Sequence, residues 1–150
     1  MTTAIRLIAL GRKISNLYAD LSAPLLREYG MNRTCFDVLM FCANQPEHNT
    51  ARDLCEMRGI KSGIASVAVE TLIAGGYLTR TPDAADRRKH RLVPTGKAAD
   101  PIRAGREMQA TFTDALRAGI TPEELHALER LTDTLEENLT RMGRGETVSC

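Results

Sequence analysis

Apolar residues recur along this chain mostly at helical spacing. Leu7, Leu10, Ile14, Leu17, Tyr18, Leu21, Leu25 and Tyr29 fall on one face at 3.6 residues per turn. They predict a long amphipathic helix, kinked at Pro24 and ended by Gly30. Asn32 is a suitable N-cap for a second helix that is apolar from Phe36 to Ala43, with Asp37 the exception. That helix is expected at the buried centre, stopped by Asn44-Gln45-Pro46. Thr50 followed by Asp53 reads as an N-cap pair opening a short helix to about Met57. Gly59 supplies a tight turn, and a further helix is predicted from about Ser62 to Ala74. Its inner face would be Ile64, Ala65, Ala68, Val69 and Leu72, and its outer face Ser62, Gly63, Ser66, Val67 and Glu70.

Two short helices joined by a glycine turn form a helix-turn-helix pattern. Tyr77–Arg80 and Arg91–Val93 read as two short strands, with a loop from Thr81 onward. After Pro94 the helical pattern resumes, with Ile102, Met108, Phe112, Ala115 and Leu116 as candidate buried positions. Pro101 leaves two starts open: near Asp100 with the proline first in the helix, or near Thr95 with a kink. Gly119 closes this helix. Thr121-Pro122-Glu123-Glu124 opens a last one, whose apolar stripe is Leu125, Leu128, Leu131, Leu135, Leu139 and Met142. Gly143 and Gly145 end it, and the tail to Cys150 is expected to be loose.

At 150 residues the chain suits one domain with one core. No run approaches the ~18 apolar residues of a membrane span, and Arg6 interrupts the apolar start, so neither a membrane segment nor a signal peptide is expected. The expected location is cytoplasmic. The formal net charge of +1 hides a polarity. Residues 80–91 are basic, whereas 123–137 are acidic with Arg130 their only Lys or Arg. The long first helix is too one-sided for its own small domain to cover, which predicts a dimer interface, with intrachain packing as the alternative.

The chemistry-bearing residues point away from catalysis. No nucleophile, base and orienting group stand together, His48, His90 and His126 lie in unrelated segments, and no phosphate-binding glycine loop is present. The chain is expected not to be an enzyme and to need no cofactor. Cys35, Cys42, Cys55 and Cys150 follow no disulfide or zinc spacing. Core packing is the first reading of the cysteines. A thiol redox switch at Cys35, Cys42 or Cys55 is the second, requiring an exposed thiolate near a cation such as Arg33 or Arg52.

Three stretches carry a family resemblance that spans nearly the whole chain. They are "YGMNRTCFDVLMFCA", "TARDLCEMRGIKSGIASVAVETLIAGGYLTR" and "DAADRRKHRLVPTGKA", in that order. The second ends in Leu72, Gly76, Tyr77, Leu78 and Arg80, and the third contains an Asp-x-Arg pattern at Asp86 and Arg88. Together they resemble the MarR family of winged helix-turn-helix transcription regulators. The chain departs from the family at Ala98, where many members have glycine, at Pro101, and in lacking Arg or Lys near Val67.

The resemblance implies a mainly α fold with a small β-hairpin wing. N- and C-terminal dimerisation helices at about 1–30 and 100–143 would flank a DNA-binding lobe at about 32–95. It implies a homodimer on double-stranded DNA at a pseudopalindromic operator. The regulator would be a repressor released by a small aromatic or anionic effector. Arg87, Arg88 and Lys89 suit phosphates or the minor groove, with Arg88 the groove residue and Asp86 its orienting carboxylate. Arg58 and Lys61 suit phosphates. Ser62, Gly63, Ser66 and Val67 would face the major groove, Val67 toward a thymine methyl. An effector cleft would involve Tyr18, Leu21, Phe36 and Met40, each of which also reads as core. A winged-helix protein-contact module without DNA binding is the alternative of another class.

Overall fold

The computed structural model describes residues 2–145, so the expected loose tail and Cys150 lie outside the described residues. The chain forms two compact units, 1–111 and 112–150.

The first unit opens with α1, Thr3–Tyr29, which contains Pro24 and ends at Gly30 in the left-handed conformation. Helix α2, Arg33–Asn44, starts where the Asn32 side chain accepts the Cys35 backbone N–H at 2.8 Å. It is the centre of the core: Phe36, Val38, Leu39, Met40 and Cys42 are all buried. Helix α3, Ala51–Arg58, begins with a complete capping box between Thr50 and Asp53 and stops at Gly59, φ 62°. Helix α4 is Ser62–Ala74. It packs on α2 and α3, burying Ala65, Ala68, Val69 and Leu72. Ile64, predicted on this inner face, is instead 51% exposed. It lies about 100° of helical arc from Ala65, outside the arc that α2 and α3 cover.

A two-stranded antiparallel hairpin follows, β1 Leu78–Pro82 and β2 His90–Pro94. Both strands run further toward the tip than the sequence indicated, because pairing continues through Thr81 with Arg91 and Pro82 with His90. Pro82 ends its strand, where a missing N–H costs the ladder little. Leu78 and Leu92 point into the core and fasten the hairpin to α2 and α4.

A 3-10 turn, Gly96–Ala98, leads into helix α5, Ala99–Arg117. Pro101 sits in the first turn of α5, where its absent N–H forfeits no helical bond. The start near Asp100 is met: α5 begins at Ala99 after the 3-10 turn, with Pro101 third in the helix instead of first. Gly105 lets α5 lie close to α2; a Cβ there would come within 2.5 Å of Met40 Sδ and 3.1 Å of Phe36 Cζ. Of the buried positions expected on α5, Ile102 and Phe112 are buried and Met108 is half-buried, but Ala115 and Leu116 are exposed.

In the second unit α6, Pro122–Gly143, carries the anticipated capping box between Thr121 and Glu124, with Pro122 in the first turn. No residue of α6 is buried, and Leu128, Leu131, Leu135, Leu139 and Met142 all lie exposed on the single chain. Among the described residues no helix is long and apolar enough to cross a membrane.

Candidate nucleic-acid interface

The hairpin tip is built around Asp83. Its carboxylate accepts the backbone N–H groups of Ala85 at 2.8 Å and Asp86 at 3.0 Å, and Arg91 Nε at 2.6 Å. Those bonds, led by the one from Asp86, hold the Asp83 carboxyl below its ordinary range. The turn is closed by backbone bonds from Asp83 to Lys89 and from Lys89 to Asp86, each 2.9 Å.

Arg91, counted by the sequence within the basic cluster, belongs to this internal brace. Besides Asp83, its Nη1 donates to the carbonyls of Pro46 at 3.1 Å and Glu47 at 3.2 Å, and to Asn49 Oδ1 at 3.2 Å. Asn49 is buried; its side chain donates to the Leu92 carbonyl and its own carbonyl accepts the Leu92 N–H. The hairpin is thereby stitched to the loop between α2 and α3. The basic run therefore divides. Arg91 faces inward, whereas Arg87, Arg88, Lys89 and His90 are exposed.

Arg88 and Asp86 are brought together as the Asp-x-Arg pattern implied. Asp86 Oδ1 accepts from the Arg88 backbone N–H at 3.1 Å and from its Nε at 3.3 Å, while the Arg88 side chain stays 92% exposed. Among the described residues Arg87 and Lys89 make no side-chain hydrogen bond or ion pair, nor do Arg58 and Lys61 beside the turn before α4.

Ser62, Gly63, Ser66 and Val67 all lie on the exposed face of α4. The one charged residue of that helix, Glu70, is paired with Arg80 of β1 at 2.5 Å. This pair ties the root of the wing to the outward face of α4. Sequence reading missed Arg80 in this role because its partner is ten positions away and on a different element. Gly76, φ 76°, makes the sharp exit from α4. Thr95 clamps that exit: its hydroxyl donates to the Gly76 carbonyl at 2.5 Å and its N–H to Tyr77 at 3.0 Å.

The residues expected around an effector cleft are dispersed in kind. Phe36 and Met40 are core residues beneath Gly105, with almost no surface left for a ligand. Tyr18 is half-buried; its hydroxyl accepts from Gln109 Nε2 at 2.7 Å, and the Arg33 guanidinium lies 4.8 Å from its ring centre. Leu21 is exposed.

Cys35 and Cys42 are buried thiols. Burial raises the Cys35 pKa and pushes that of Cys42 up to about 12, the opposite of what a sensing thiolate needs. Cys55 is half-buried. Among the described residues no group of three His, Cys, Asp or Glu side chains is arranged to hold a metal ion.

Comparison with known proteins places this geometry. Residues 29–89, the segment from the end of α1 to the wing tip, match the MarR family. No curated protein matches. A MarR protein from Peptoclostridium difficile superposes with a TM-score of 0.70 at 20% identity, covering 92% of this chain and 88% of that one. MepR of S. aureus, solved as a DNA complex, gives 0.72 at 15% identity over 87% and 94% of the two chains. BpsR of Bordetella bronchiseptica, whose DNA binding is regulated by 6-hydroxynicotinic acid, gives 0.64 at 19% identity over 91% and 96%. At such identities the structural likeness speaks for the fold, and the segment match speaks for the family. Residues 29–89 thus carry the likeness to the MarR family, and the fold of the chain is that of the solved MarR-type winged helix-turn-helix proteins.

Proposed function

We propose that the chain is a cytoplasmic, homodimeric, sequence-specific DNA-binding repressor. The observation that carries this reading is the Glu70–Arg80 pair, which sets the wing beside the outward face of α4. One surface then combines a helix that fits a major groove with a hairpin tip bearing Arg87, Arg88 and Lys89 for the adjoining backbone and minor groove. Arg58 and Lys61 add phosphate contacts near the start of α4. The likeness to MepR, solved on DNA, supports the same use.

Two chains are needed for a symmetric operator. The exposed apolar positions of α1 and, separately, of α6 support dimerisation through the segments at about 1–30 and 100–143. The lobe at about 32–95 would then be presented twice, with recognition helices roughly 34 Å apart, one turn of duplex. A small aromatic or anionic effector would release the repressor by favouring a different separation of the two helices. The regulation of BpsR by 6-hydroxynicotinic acid supports a ligand of that class.

A gel shift with the DNA upstream of the gene, repeated across salt concentrations, tests the reading. Steep loss of binding with salt is expected, and Arg88→Ala should cost about 1–3 kcal/mol of binding. Failure to bind any duplex at low salt would assign the surface to protein contact instead. Sedimentation should give a dimer, and Leu131→Glu together with Leu135→Glu should give a monomer.

A further inference from the structure

Helix α4 contains no Arg, Lys, His, Asn, Gln or Asp. Its only charged side chain, Glu70, is held by Arg80. Specific reading of guanine relies on Arg or Lys, and of adenine on Asn or Gln. The helix therefore lacks the side chains that make bidentate base contacts. It does expose apolar surface where a reader would stand: Val67 is 68% exposed and Ile64 51%. Ile64, Val67 and Thr71 follow one another at three- and four-residue steps, so they form one stripe. The Thr71 hydroxyl donates to the Val67 carbonyl at 2.8 Å, which commits its hydrogen to the helix. On the other flank only Ser62 and Ser66 have hydroxyls to offer.

In the major groove the one apolar feature of a base edge is the thymine 5-methyl group. We propose that α4 selects operators by packing Ile64, Val67 and the Thr71 methyl against thymine methyls, while the flanking cations supply affinity without sequence preference. This rests on the DNA-binding reading and deepens it. The stripe is bordered by Arg58 and Lys61, which make no ion pair among the described residues, and Arg87, Arg88 and Lys89 sit on the neighbouring wing. That charge suits a polyanion and gives an uncharged apolar protein partner nothing.

The test begins by selecting sites for the full-length protein from a random duplex pool. Each thymine of the selected half-site is then replaced by deoxyuracil, which removes the methyl and keeps every hydrogen-bonding group. Thymine-containing half-sites should be enriched, and each contacted methyl should be worth about three- to fivefold in affinity. Val67→Ala should make the protein indifferent to deoxyuracil at the position Val67 touches, which separates contact from any change in duplex stiffness. Salt-sensitive binding with equal affinity for thymine and deoxyuracil sites would overturn the inference and leave DNA binding standing. Absence of binding to any duplex at low salt would overturn the DNA-binding reading and the inference together.

Discussion

Arg87 and Arg91 are four positions apart in one basic run, but Arg87 is exposed whereas Arg91 is braced against Asp83 and residues 46–49. A cation that neutralises a DNA phosphate releases a condensed counterion, adding about 0.9 to the magnitude of the log–log salt slope. The exposed cations suited to phosphates are Arg58, Lys61, Arg87, Arg88 and Lys89. Two chains on one duplex would bring about ten such charges, an upper slope of about −9 and a loss of roughly 10³–10⁵ in affinity between about 50 and 200 mM salt. Arg87→Ala in both chains should reduce the slope by about 2. Arg91 donates to four protein acceptors at 2.6–3.2 Å through Nε and Nη1, which hold its guanidinium against Asp83 and residues 46–49. Arg91→Ala should therefore lower affinity at every salt concentration, by freeing the hairpin from residues 46–49, and leave the slope as it was. Fluorescence-anisotropy titrations of one labelled duplex at four or more salt concentrations measure both quantities. A slope that falls as much for Arg91→Ala as for Arg87→Ala would refute the division of labour.

Other consequences follow from the core, the tip and the thiols. Leu54 is fully buried, so Leu54→Ala should cost about 2–5 kcal/mol in urea denaturation, and a loss below about 1 kcal/mol would contradict its place in the core. Thr50→Ala removes the α3 cap and should cost about 1 kcal/mol in the same assay. Asp83 has a folded pKa below its ordinary 3.8, so its contribution is in place above that pH and disappears as the pH falls through the lower folded value. Acid unfolding of Asp83→Asn should show a shallower pH dependence than wild type in that window; identical profiles would mean the brace contributes nothing. In a Cys150→Ser background, a thiol reagent at pH 8 should label Cys55 well before Cys35 or Cys42, because burial keeps the latter two protonated and covered. Rapid labelling of Cys42 would reopen the redox reading.

The sequence by itself determined the helices and their ends. Asn32, Thr50 and Thr121 each cap within three residues, and Gly30 and Gly59 turn the chain locally, so the signal and its effect lie side by side. The order of those elements and the Asp86–Arg88 pair were legible for the same reason. What only the tertiary structure decided was which exposed-looking residues are spoken for. Arg91 is bound by groups 42 to 45 positions away, Glu70 by Arg80 from the next element, and Ile64 is left outside because α2 and α3 cover a narrower arc of α4 than its apolar pattern spans. Capping and periodicity act over about one helical turn, whereas burial and charge pairing depend on surfaces that meet only after the chain has folded.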